Sequence, residues 1–469
     1  MTGVGRFTWR TGAVVFTVAV AVLIGMIVLA DVSEKEKPRA DHPAPVTRND
    51  LQFAVWGNKD EVAAYKSVVD DYNASSKDTR VSIVSWPTAD AMLEAIRGGS
   101  AAPDLYLLPR SDLAEVMAEK RNQPLLDLLT EREIPIGDDF ARDAVAAFSV
   151  DNDLQCMPYT VSPMVMYYNT DLVDFAAMKT DGLPTPKDDN SGWNFAEFRA
   201  AAEYASRPRR KTRGVYIEPT LRGLAPFVYS GGGQVFDDDN TPTSLALGDD
   251  SSTSALRQTL ELLRDPRLTL SARQLAQRSA LDWFKRGKVA MIAGDRSLTP
   301  ELRSTPGLNF DVMPMPSLGS SKTVAEVNGI CLAHSRPARA EASANFLTYL
   351  VSDEVVARVA ETGYIQPAKL TIALSKDFLQ PDLAPAHSVV FNNAMRSIEL
   401  PPLITSITEL RQLVNPDIEA LFTTPSLDDL QAALLAIDEK SRTLLDPSYT
   451  PSESPSDSAS DEPSDSATR

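Results

Sequence analysis

The chain has 469 residues, of which 43% are hydrophobic, and a formal net charge of −18. This acidic balance argues against nucleic-acid binding, which needs a basic face that displaces counterions. Residues 50–445 contain no low-complexity break and are too long to fold around one hydrophobic core, which predicts two lobes.

An apolar stretch at the amino terminus predicts export. Residues 1–12 form a flank with only basic charges, and residues 13–30 are almost uninterruptedly apolar. This order keeps the flank in the cytoplasm and exports the rest of the chain. The apolar length fits a transmembrane anchor or a cleaved signal, and the weak cleavage signal after Ala30 favours the anchor. No cysteine lies near residue 30, so a lipid anchor is excluded.

Two further segments have compositions that are typical of disorder. Residues 31–49 are charged and rich in proline, and residues 446–469 consist mainly of serine, proline and acidic residues. Neither segment can bury enough apolar surface to order itself. We therefore expect a flexible stalk before the two lobes and a disordered tail after them.

Strands and helices alternate at the start of the region between stalk and tail. The predicted elements are, in order, strand Leu51–Trp56, a helix from Asp60, strand Val81–Val84, helix Ala89–Arg97, strand Pro103–Leu108 and helix Ser111–Lys120. A β-α-β-α-β order predicts an α/β fold with a parallel, doubly wound sheet. The ligand crevice of such a sheet lies at the carboxyl ends of its strands.

Later segments resemble a known family by their order and spacing. They are P-Y-T-V-S-P-M-V-M-Y-Y-N-T-D-L (158–172), W-N-F-A-E-F-R-A-A-A (193–202), G-G-G-Q-V-F-D-D-D-N-T-P (231–242), F-K-R-G-K-V-A-M-I-A-G-D (284–295), F-D-V-M-P-M-P (310–316) and G-Y-I-Q-P-A (363–368). Together with the first elements, they resemble the family 1 extracellular solute-binding proteins of bacterial ABC importers, of the maltose or multiple-sugar type. The resemblance implies a two-lobed periplasmic-binding-protein-like fold, with two doubly wound sheets, a hinge and a ligand cleft between the lobes.

The resemblance also implies a division of the chain between the lobes. Residues 50–157 and 330–385 would form the first lobe, and residues 158–329 the second. A helical part, residues 386–445, would return to the second lobe.

The two cysteines, Cys156 and Cys331, are not in a C-x-x-C arrangement, which argues against a metal site built from cysteine. Under the resemblance, Cys156 lies just before the first crossing between lobes and Cys331 in the return crossing, and these crossing strands run side by side. A disulfide that restrains the hinge and two separately buried thiols are equal alternatives.

Aromatic rings that cover the apolar faces of a sugar are the first group of candidate ligand-binding residues. Trp56 ends the first strand and Trp86 follows the second, at the expected crevice. The resemblance adds Tyr159, which follows the crossing proline, and Tyr364 in the Gly-Tyr-Ile-Gln-Pro turn. A core role is an open alternative for these side chains.

Polar side chains that reach sugar hydroxyls form the second group of candidates. They are Asn58, Asp104, Glu218, Gln234, Asp295 and Asn328. Asp295 is the strongest, because relatives point the Gly-Asp after this strand toward the cleft. Capping of helices and stabilisation of loops are the alternative roles for the other candidates.

Polyols or glycerol phosphates are the second candidate class of solute. A phosphate group would require a positively charged side chain in the cleft, such as Arg222 or Arg296.

No enzyme motif accompanies this pattern. The three histidines have no zinc-binding spacing, and neither a G-x-S-x-G elbow nor a phosphate-binding P-loop occurs. A carboxylate pair for glycoside cleavage is the weaker alternative. We therefore predict a monomeric extracytoplasmic receptor for a sugar or oligosaccharide, without catalysis, cofactor or metal. It would be held at the membrane by residues 13–30 and would dock on permease subunits of an ABC transporter. A membrane-anchored interaction protein that has lost its solute is the alternative function.

Overall fold

The computed structural model describes residues 49–424 and 426–450. The predicted anchor, nearly all of the stalk and residues 451–469 of the tail lie outside the described residues. Among the helices that are described, none combines the length and the apolar character needed to cross a bilayer.

The strands of the described chain form two main sheets and one short hairpin. In chain order they are β1 (Asn49–Trp56), β2 (Thr79–Trp86), β3 (Leu105–Pro109), β4 (Asn122–Gln123), β5 (Ser149–Val150), β6 (Asp153–Leu154), β7 (Met157–Pro163), β8 (Val165–Asn169), β9 (Arg213–Tyr216), β10 (Val289–Gly294), β11 (Phe310–Pro314) and β12 (Ala325–Ala333).

Helices connect these strands and cover the sheets. Those of the first half are α1 (Lys59–Ser75), α2 (Ala89–Arg97), α3 (Leu113–Ala118), α4 (Leu126–Thr130), α5 (Ile136–Asp139), α6 (Arg142–Ala147), α7 (Phe175–Thr180), α8 (Phe195–Ala205) and α9 (Leu221–Ser230). Those of the second half are α10 (Asp250–Leu263), α11 (Ala272–Leu275), α12 (Ala280–Lys285), α13 (Thr299–Arg303), α14 (Pro337–Leu350), α15 (Asp353–Ala360), α16 (Leu370–Ala373), α17 (Lys376–Leu379), α18 (Val389–Ala394), α19 (Ile407–Thr423) and α20 (Leu430–Leu445).

The first sheet has the strand order β2-β1-β3-β12-β4, with β7 also paired to β12. Strand β1 is parallel to β2 and β3, as the alternation of strands and helices predicts. The returning strand β12 runs antiparallel to β3, β4 and β7. The carboxyl ends of β1, β2 and β3 and the amino-terminal part of β12 therefore lie at the same end of the sheet.

The second sheet has the order β11-β8-β10-β9 and is buried on both faces. Successive side chains of a strand point to opposite faces. In β8, accordingly, Val165 and Tyr167 belong to the core that includes the first sheet. Met166 and Tyr168 belong to a second core. The all-apolar run in this strand is thus explained by two separate packing surfaces.

The chain crosses between the sheets at two close points. Met164 alone separates β7 from β8, and Met315–Val324 separates β11 from β12. The predicted boundaries at 157/158 and 329/330 are corrected by these positions. They cut through β7 and β12, because these two strands pair with each other along the first sheet and belong to it whole.

The last two described helices pack on the second core. In α19, Leu410, Val414 and Ile418 are buried there, at a spacing that aligns them on one side of the helix. Helix α18 instead contributes Val390 and Phe391 to the first core. The carboxyl-terminal segment is therefore shared between the two cores.

A disulfide bond joins Cys156 to Cys331, with 4.3 Å between the two Cα atoms. Both residues are fully buried in the first core. Cys156 directly precedes β7, and Cys331 lies in β12 next to the residue that pairs with Met157. The bond therefore ties together the two strands that lead to and from the second sheet.

Candidate functional site

A cleft of about 770 Å³ opens where the carboxyl ends of β1, β2 and β3 face the second lobe. Residues from the first lobe, from the second lobe and from the crossing strand β12 contribute to its walls. They are Trp56, Thr88, Ala89, Asp90, Pro109, Ser111, Asp112, Tyr216, Glu218, Pro219, Thr220, Glu326, Thr408, Arg411, Gln412, Asn415, Pro416 and Glu419. The position agrees with the general rule for ligand crevices in open α/β sheets.

Trp56 gives the first lobe a flat apolar surface in the cleft. Its indole Nε1 donates a hydrogen bond to the carbonyl oxygen of Leu107 on the neighbouring strand, at 2.9 Å. The ring is half-buried and packs against the first core. Because both its polar atom and its edge are held, the ring face has a fixed orientation toward the cleft.

Asp112 is a partly buried carboxylate that the first lobe contributes to the cleft wall. It accepts a hydrogen bond from the Ser111 hydroxyl at 3.2 Å. Burial raises the pKa of Asp112 to about 6, with the nearby charges of Asp90 and Glu115 acting in the same direction. With a pKa of about 6 the group is mostly ionised at neutral pH, and an ionised carboxylate accepts hydrogen bonds.

One face of α19 forms most of the wall on the second lobe. Thr408, Arg411, Gln412, Asn415 and Glu419 line the cleft at the spacing of a single helical face. The opposite face of the same helix is buried in the second core. The Asn415 Oδ1 also accepts a hydrogen bond from the Leu221 amide at 3.0 Å, which fixes this wall to the start of α9.

Tyr216 and Glu218 enter the cleft from the end of β9. Burial raises the pKa of Tyr216 to about 12, and the charges of Glu218 and Glu419 add to the effect. The phenol therefore stays neutral and keeps its hydroxyl proton as a donor. Tyr216 provides an aromatic ring opposite the lobe that carries Trp56.

Arg222 connects two carboxylates beside the crossing strands. Its Nη2 lies 3.5 Å from Asp295 Oδ2 and 3.6 Å from Glu326 Oε2. Burial raises the pKa of Glu326, although 42% of its side chain is open to solvent in the cleft. Asp295 also accepts hydrogen bonds from the amide and the hydroxyl of Ser297. The group links the return strand β12 to the loop after β10.

Glu61 of the first lobe lies near Asp295 of the second. Burial raises the pKa of Glu61 to about 7; the hydrogen bond from the Asn58 amide opposes this, and the charge of Asp295 adds to it. Glu61 also completes the capping box of α1 with Asn58. Its carboxylate adjoins Gly57, whose φ of 141° suits glycine and where a Cβ would lie 2.8 Å from Glu61 Oε2.

Of the predicted site residues, Trp56 and Glu218 line the cleft, and Asp295 adjoins it through Arg222. Asn328 lies on β12, two residues from Glu326, where its Nδ2 donates to the Thr160 hydroxyl at 3.1 Å. These residues belong to the same region of the molecule. The other predicted residues do not line the cleft.

Asp104 and Tyr159 are corrected from ligand candidates to structural residues. Asp104 precedes β3 at the far end of the sheet, where it is buried, pairs with Arg339 and accepts the Gln52 amide at 2.7 Å. Tyr159 is 1% exposed, and its ring centre lies 6.1 Å from that of Tyr65 in the first core. Every residue of β7 is buried, so its side chains are enclosed on both faces.

Four other candidates also have structural surroundings. Asn58 caps α1 and bonds to Glu61. Trp86 pairs in register with Trp56 but packs against the first core. The backbone of Gln234 is held by the Ser252 hydroxyl in a loop. Tyr364 packs against the first core as well, near the charges of Asp60 and Glu61.

Arg296, considered above for a phosphate ligand, is not available to one. Its side chain is fully buried, with the guanidinium carbon 4.7 Å from the ring centre of Phe378 and 5.2 Å from that of Phe391. It donates to the Phe378 carbonyl oxygen at 3.0 Å. Arg411 lines the cleft, and Arg222 lines a small cavity that shares Glu326 and Arg411 with it.

The sequence prediction missed Asp112, Tyr216, Glu326 and the polar face of α19. The signal for α19 was present, because Thr408, Arg411, Gln412, Asn415 and Glu419 recur at helical spacing opposite an apolar stripe. A polar helical face usually meets solvent, and only the fold shows that this one meets the other lobe. Within the described residues, no group of histidine, cysteine and carboxylate side chains is arranged to hold a metal ion.

Two α/β lobes, linked by adjacent crossing strands and separated by a polar cleft with aromatic rings on both walls, define the class of two-lobed binding proteins. A family model described as bacterial extracellular solute-binding protein matches residues 67–386. The chain belongs to this family. The resemblance found in the sequence is thereby confirmed at the level of extracellular solute-binding proteins. No curated protein is significantly similar to the chain in sequence.

Solved structures of binding proteins share the two-lobed fold. The ABC substrate-binding protein of Listeria monocytogenes in complex with cycloalternan has a TM-score of 0.71 and 18% identity, over 84% of this chain and 98% of that chain. The cyclic alpha-maltosyl-1,6-maltose binding protein of Arthrobacter globiformis has a TM-score of 0.69 and 17% identity, over 85% and 99%. The GacH receptor of Streptomyces glaucescens, known in complex with acarbose, has a TM-score of 0.67 and 18% identity, over 85% and 98%.

Proposed function

We propose that this protein is the extracytoplasmic receptor of an ABC importer and that it binds an oligosaccharide or a related carbohydrate. Its family supports a solute-binding role, and the similar structures named above bind carbohydrates or acarbose. The observation that carries the proposal is the cleft, in which the fixed ring of Trp56 stands among polar side chains of both lobes.

The composition of the cleft suits a neutral polyhydroxyl ligand. A sugar ring presents C–H faces to aromatic rings and hydroxyls to planar polar groups. Trp56 and Tyr216 supply the rings, one from each lobe. Asp112 and Glu419 supply acceptors, and Arg411 supplies donors. A ligand that touches both walls gains contacts from both lobes only when the cleft is narrow.

Closure around the ligand is the mechanism that we propose. A ligand stabilises the conformation in which it makes more contacts, and here that conformation brings the α19 wall toward Trp56. The motion would turn about the crossing segments at Met164 and Met315–Val324. The Cys156–Cys331 bond would limit how far β7 and β12 slide past each other. A ligand enclosed between the two lobes would then stabilise a single closed arrangement of the lobes.

The closed, loaded form would dock on the permease subunits of the transporter. Residues 13–30 would tether the receptor to the membrane, with the stalk giving it reach. Residues 446–469 would extend from the second lobe as a solvated tail. The chain itself would act as a monomer and would catalyse no reaction.

The test is calorimetric titration of the full-length chain with maltotriose, cycloalternan, acarbose and a polyol series. Saturable binding of one carbohydrate class is expected, together with a rise in melting temperature that grows with the logarithm of ligand concentration. Asp112→Asn and Arg411→Gln should each weaken this binding. Lack of binding to any compound would overturn the receptor proposal and would favour the interaction protein without a solute.

A further inference from the structure

A second concave region lies at the other end of the first sheet. It is a groove of about 950 Å³, lined by residues that precede β3 and follow β12, by the turn after α3 and by the start of α14. The length of β3 separates it from the cleft, which corresponds to about 16 Å of strand. No residue lines both regions. The basic groove, as we call it, is therefore a distinct site.

The charge of the basic groove is opposite to that of the whole chain. Lys120, Arg121, Arg336 and Arg339 line it, whereas Asp104 and Glu119 are its only carboxylates among the described residues. Arg339 pairs with Asp104, and Arg121 pairs with Glu119. Lys120 and Arg336 have no ion-pair partner in the described part of the chain. Two cations thus remain uncompensated in a protein of net charge −18.

Helix α14 begins in the basic groove without a cap. Arg336 occupies the N-cap position and makes no side-chain capping hydrogen bond, and the first turn contains no acidic residue. The first amides of a helix lack partners within it and carry a partial positive charge. Helix α1, by contrast, has a full capping box and two acidic residues in its first turn. Pro337, the first residue of α14, has no N–H, and the Arg339 amide donates to the Arg336 carbonyl oxygen at 2.9 Å. The Ala338 amide is therefore the donor that the first turn leaves open, and this helix end favours an anion.

Two hydroxyl groups of the basic groove have no hydrogen-bond partner. Tyr106 is 1% exposed, and neither its hydroxyl nor the buried Ser335 Oγ bonds to any described residue. Tyr106 lines the basic groove together with Arg121 and Glu119. A buried hydroxyl without a partner is costly, so its retention points to an external acceptor.

From this geometry we infer that the basic groove binds a small phosphate-type oxyanion. The Tyr106 and Ser335 hydroxyls and the Ala338 amide of α14 would donate hydrogen bonds to its oxygens. Lys120 and Arg336 would balance its charge. Such an anion satisfies all the unpartnered donors at once, which a neutral sugar cannot do because it brings no charge. The oxyanion is either free phosphate or the phosphate of a lipid headgroup.

The experiment is calorimetric titration of the full-length chain with inorganic phosphate at constant ionic strength. Saturable binding is expected, and a Lys120→Gln/Arg336→Gln double variant should weaken it by about tenfold or more. Tyr106→Phe should weaken it as well without loss of stability, because the hydroxyl has no protein partner to lose. A matched control, Arg273→Gln/Lys376→Gln, removes the same charge from exposed positions and should bind phosphate normally.

A second arm distinguishes the source of the oxyanion. Vesicles of phosphatidylglycerol and phosphatidylcholine should co-sediment with the chain in a manner that depends on Lys120 and Arg336 if a lipid headgroup is the ligand. Binding of neither probe, or binding that the double variant and Tyr106→Phe leave unchanged, would overturn the proposal. The melting temperature of each variant serves as the folding control, and it does not depend on whether the cleft binds a carbohydrate.

Discussion

The cleft and the basic groove lie at opposite ends of the same sheet. The helices that begin at the two sites differ in whether their amino termini carry a capping or an acidic side chain. At the cleft, α2 has a Thr88 cap and Asp90 in its first turn, and α3 has Asp112 at its N-cap position. At the groove, α14 has neither a cap nor an acid. The partial positive charge of a helix start is neutralised within the chain in one place and left open in the other. A few side chains therefore decide whether a helix start keeps its partial positive charge, which is the basis for proposing a neutral ligand at the cleft and an anion at the groove.

The largest expected effect is a loss of carbohydrate affinity that distinguishes Trp56 from Trp86, the two tryptophans at the ends of the paired strands β1 and β2. Trp56→Ala should weaken carbohydrate binding about 30-fold or more, because an aromatic anchor at the centre of a site carries much of the binding energy. Trp86→Ala is the matched control, since this ring packs against the first core and not in the cleft. It should lower the melting temperature and leave affinity unchanged. Calorimetry and thermal unfolding check both variants, and equal affinity losses would contradict the placement.

The Asp104→Asn variant tests whether Asp104, at the groove end of the first sheet, stabilises the fold and does not bind the carbohydrate. The buried carboxylate accepts hydrogen bonds from Arg339 and from the Gln52 amide. Its loss should lower the free energy of unfolding by about 1–3 kcal/mol, as for other charge-assisted hydrogen bonds. Carbohydrate affinity should not change, whereas phosphate affinity should rise because the groove loses a negative charge. Denaturant unfolding gives the first value; a fall in carbohydrate affinity would place Asp104 in the cleft after all.

The free energy of unfolding should depend on pH through the protonation of the Glu61 carboxyl group. Folding raises the pKa of this carboxyl from 4.5 to about 7, so the folded state holds the proton more firmly than the unfolded state. The free energy of unfolding should therefore fall as pH rises from about 4.5 to 7, by at most about 1.4 kcal/mol per pH unit for one proton.

Glu61→Gln should flatten this slope while it keeps the capping interaction with Asn58. Asp112 contributes in the same direction up to about pH 6, so some slope should persist. Glu94→Gln, at an exposed position of α2, is the control and should retain the full slope. Chemical unfolding at several pH values measures the slope of the free energy of unfolding against pH. An unchanged slope in Glu61→Gln would contradict the attribution of this slope to Glu61.

The smallest expected difference is the response of the two sites to salt. Raising sodium chloride from about 50 to 500 mM should weaken phosphate binding severalfold, because screening reduces the attraction of Lys120 and Arg336. Carbohydrate binding in the cleft should change less than about twofold, since its ligand is neutral. Parallel titrations compare the two, and equal salt dependence would show that the cleft ligand is charged.

The first sheet could be predicted because its signals are local. Strand and helix periods alternate there, and helix Ala89–Arg97 has the predicted bounds. Trp56 was found for the same reason, because it ends the first predicted strand. Glu218, one of the polar candidates, follows β9 in the structure. The second sheet, with two cores against its faces, gives only an apolar run such as Val165–Tyr168. Such a run does not tell which neighbours cover it.

The remaining site residues depend on contacts between distant parts of the chain. The polar face of α19 has the same pattern as a solvated face, and its role follows only from the wall opposite. Asp104 precedes a strand just as Glu218 follows one, yet the crevice forms at carboxyl ends alone. Tyr106 belongs to an apolar strand, and its unpartnered hydroxyl is visible only once its surroundings are known.

The disulfide bond turns most of the second lobe into a covalently closed ring. Cys156 and Cys331 are 175 residues apart in sequence, and both crossing strands and the second sheet lie between them. A protease that cuts any single loop within this ring leaves two fragments that are still joined through sulfur. An exported protein meets proteases without access to cytoplasmic repair. Nicked molecules would thus migrate as one chain until a reducing agent separates them.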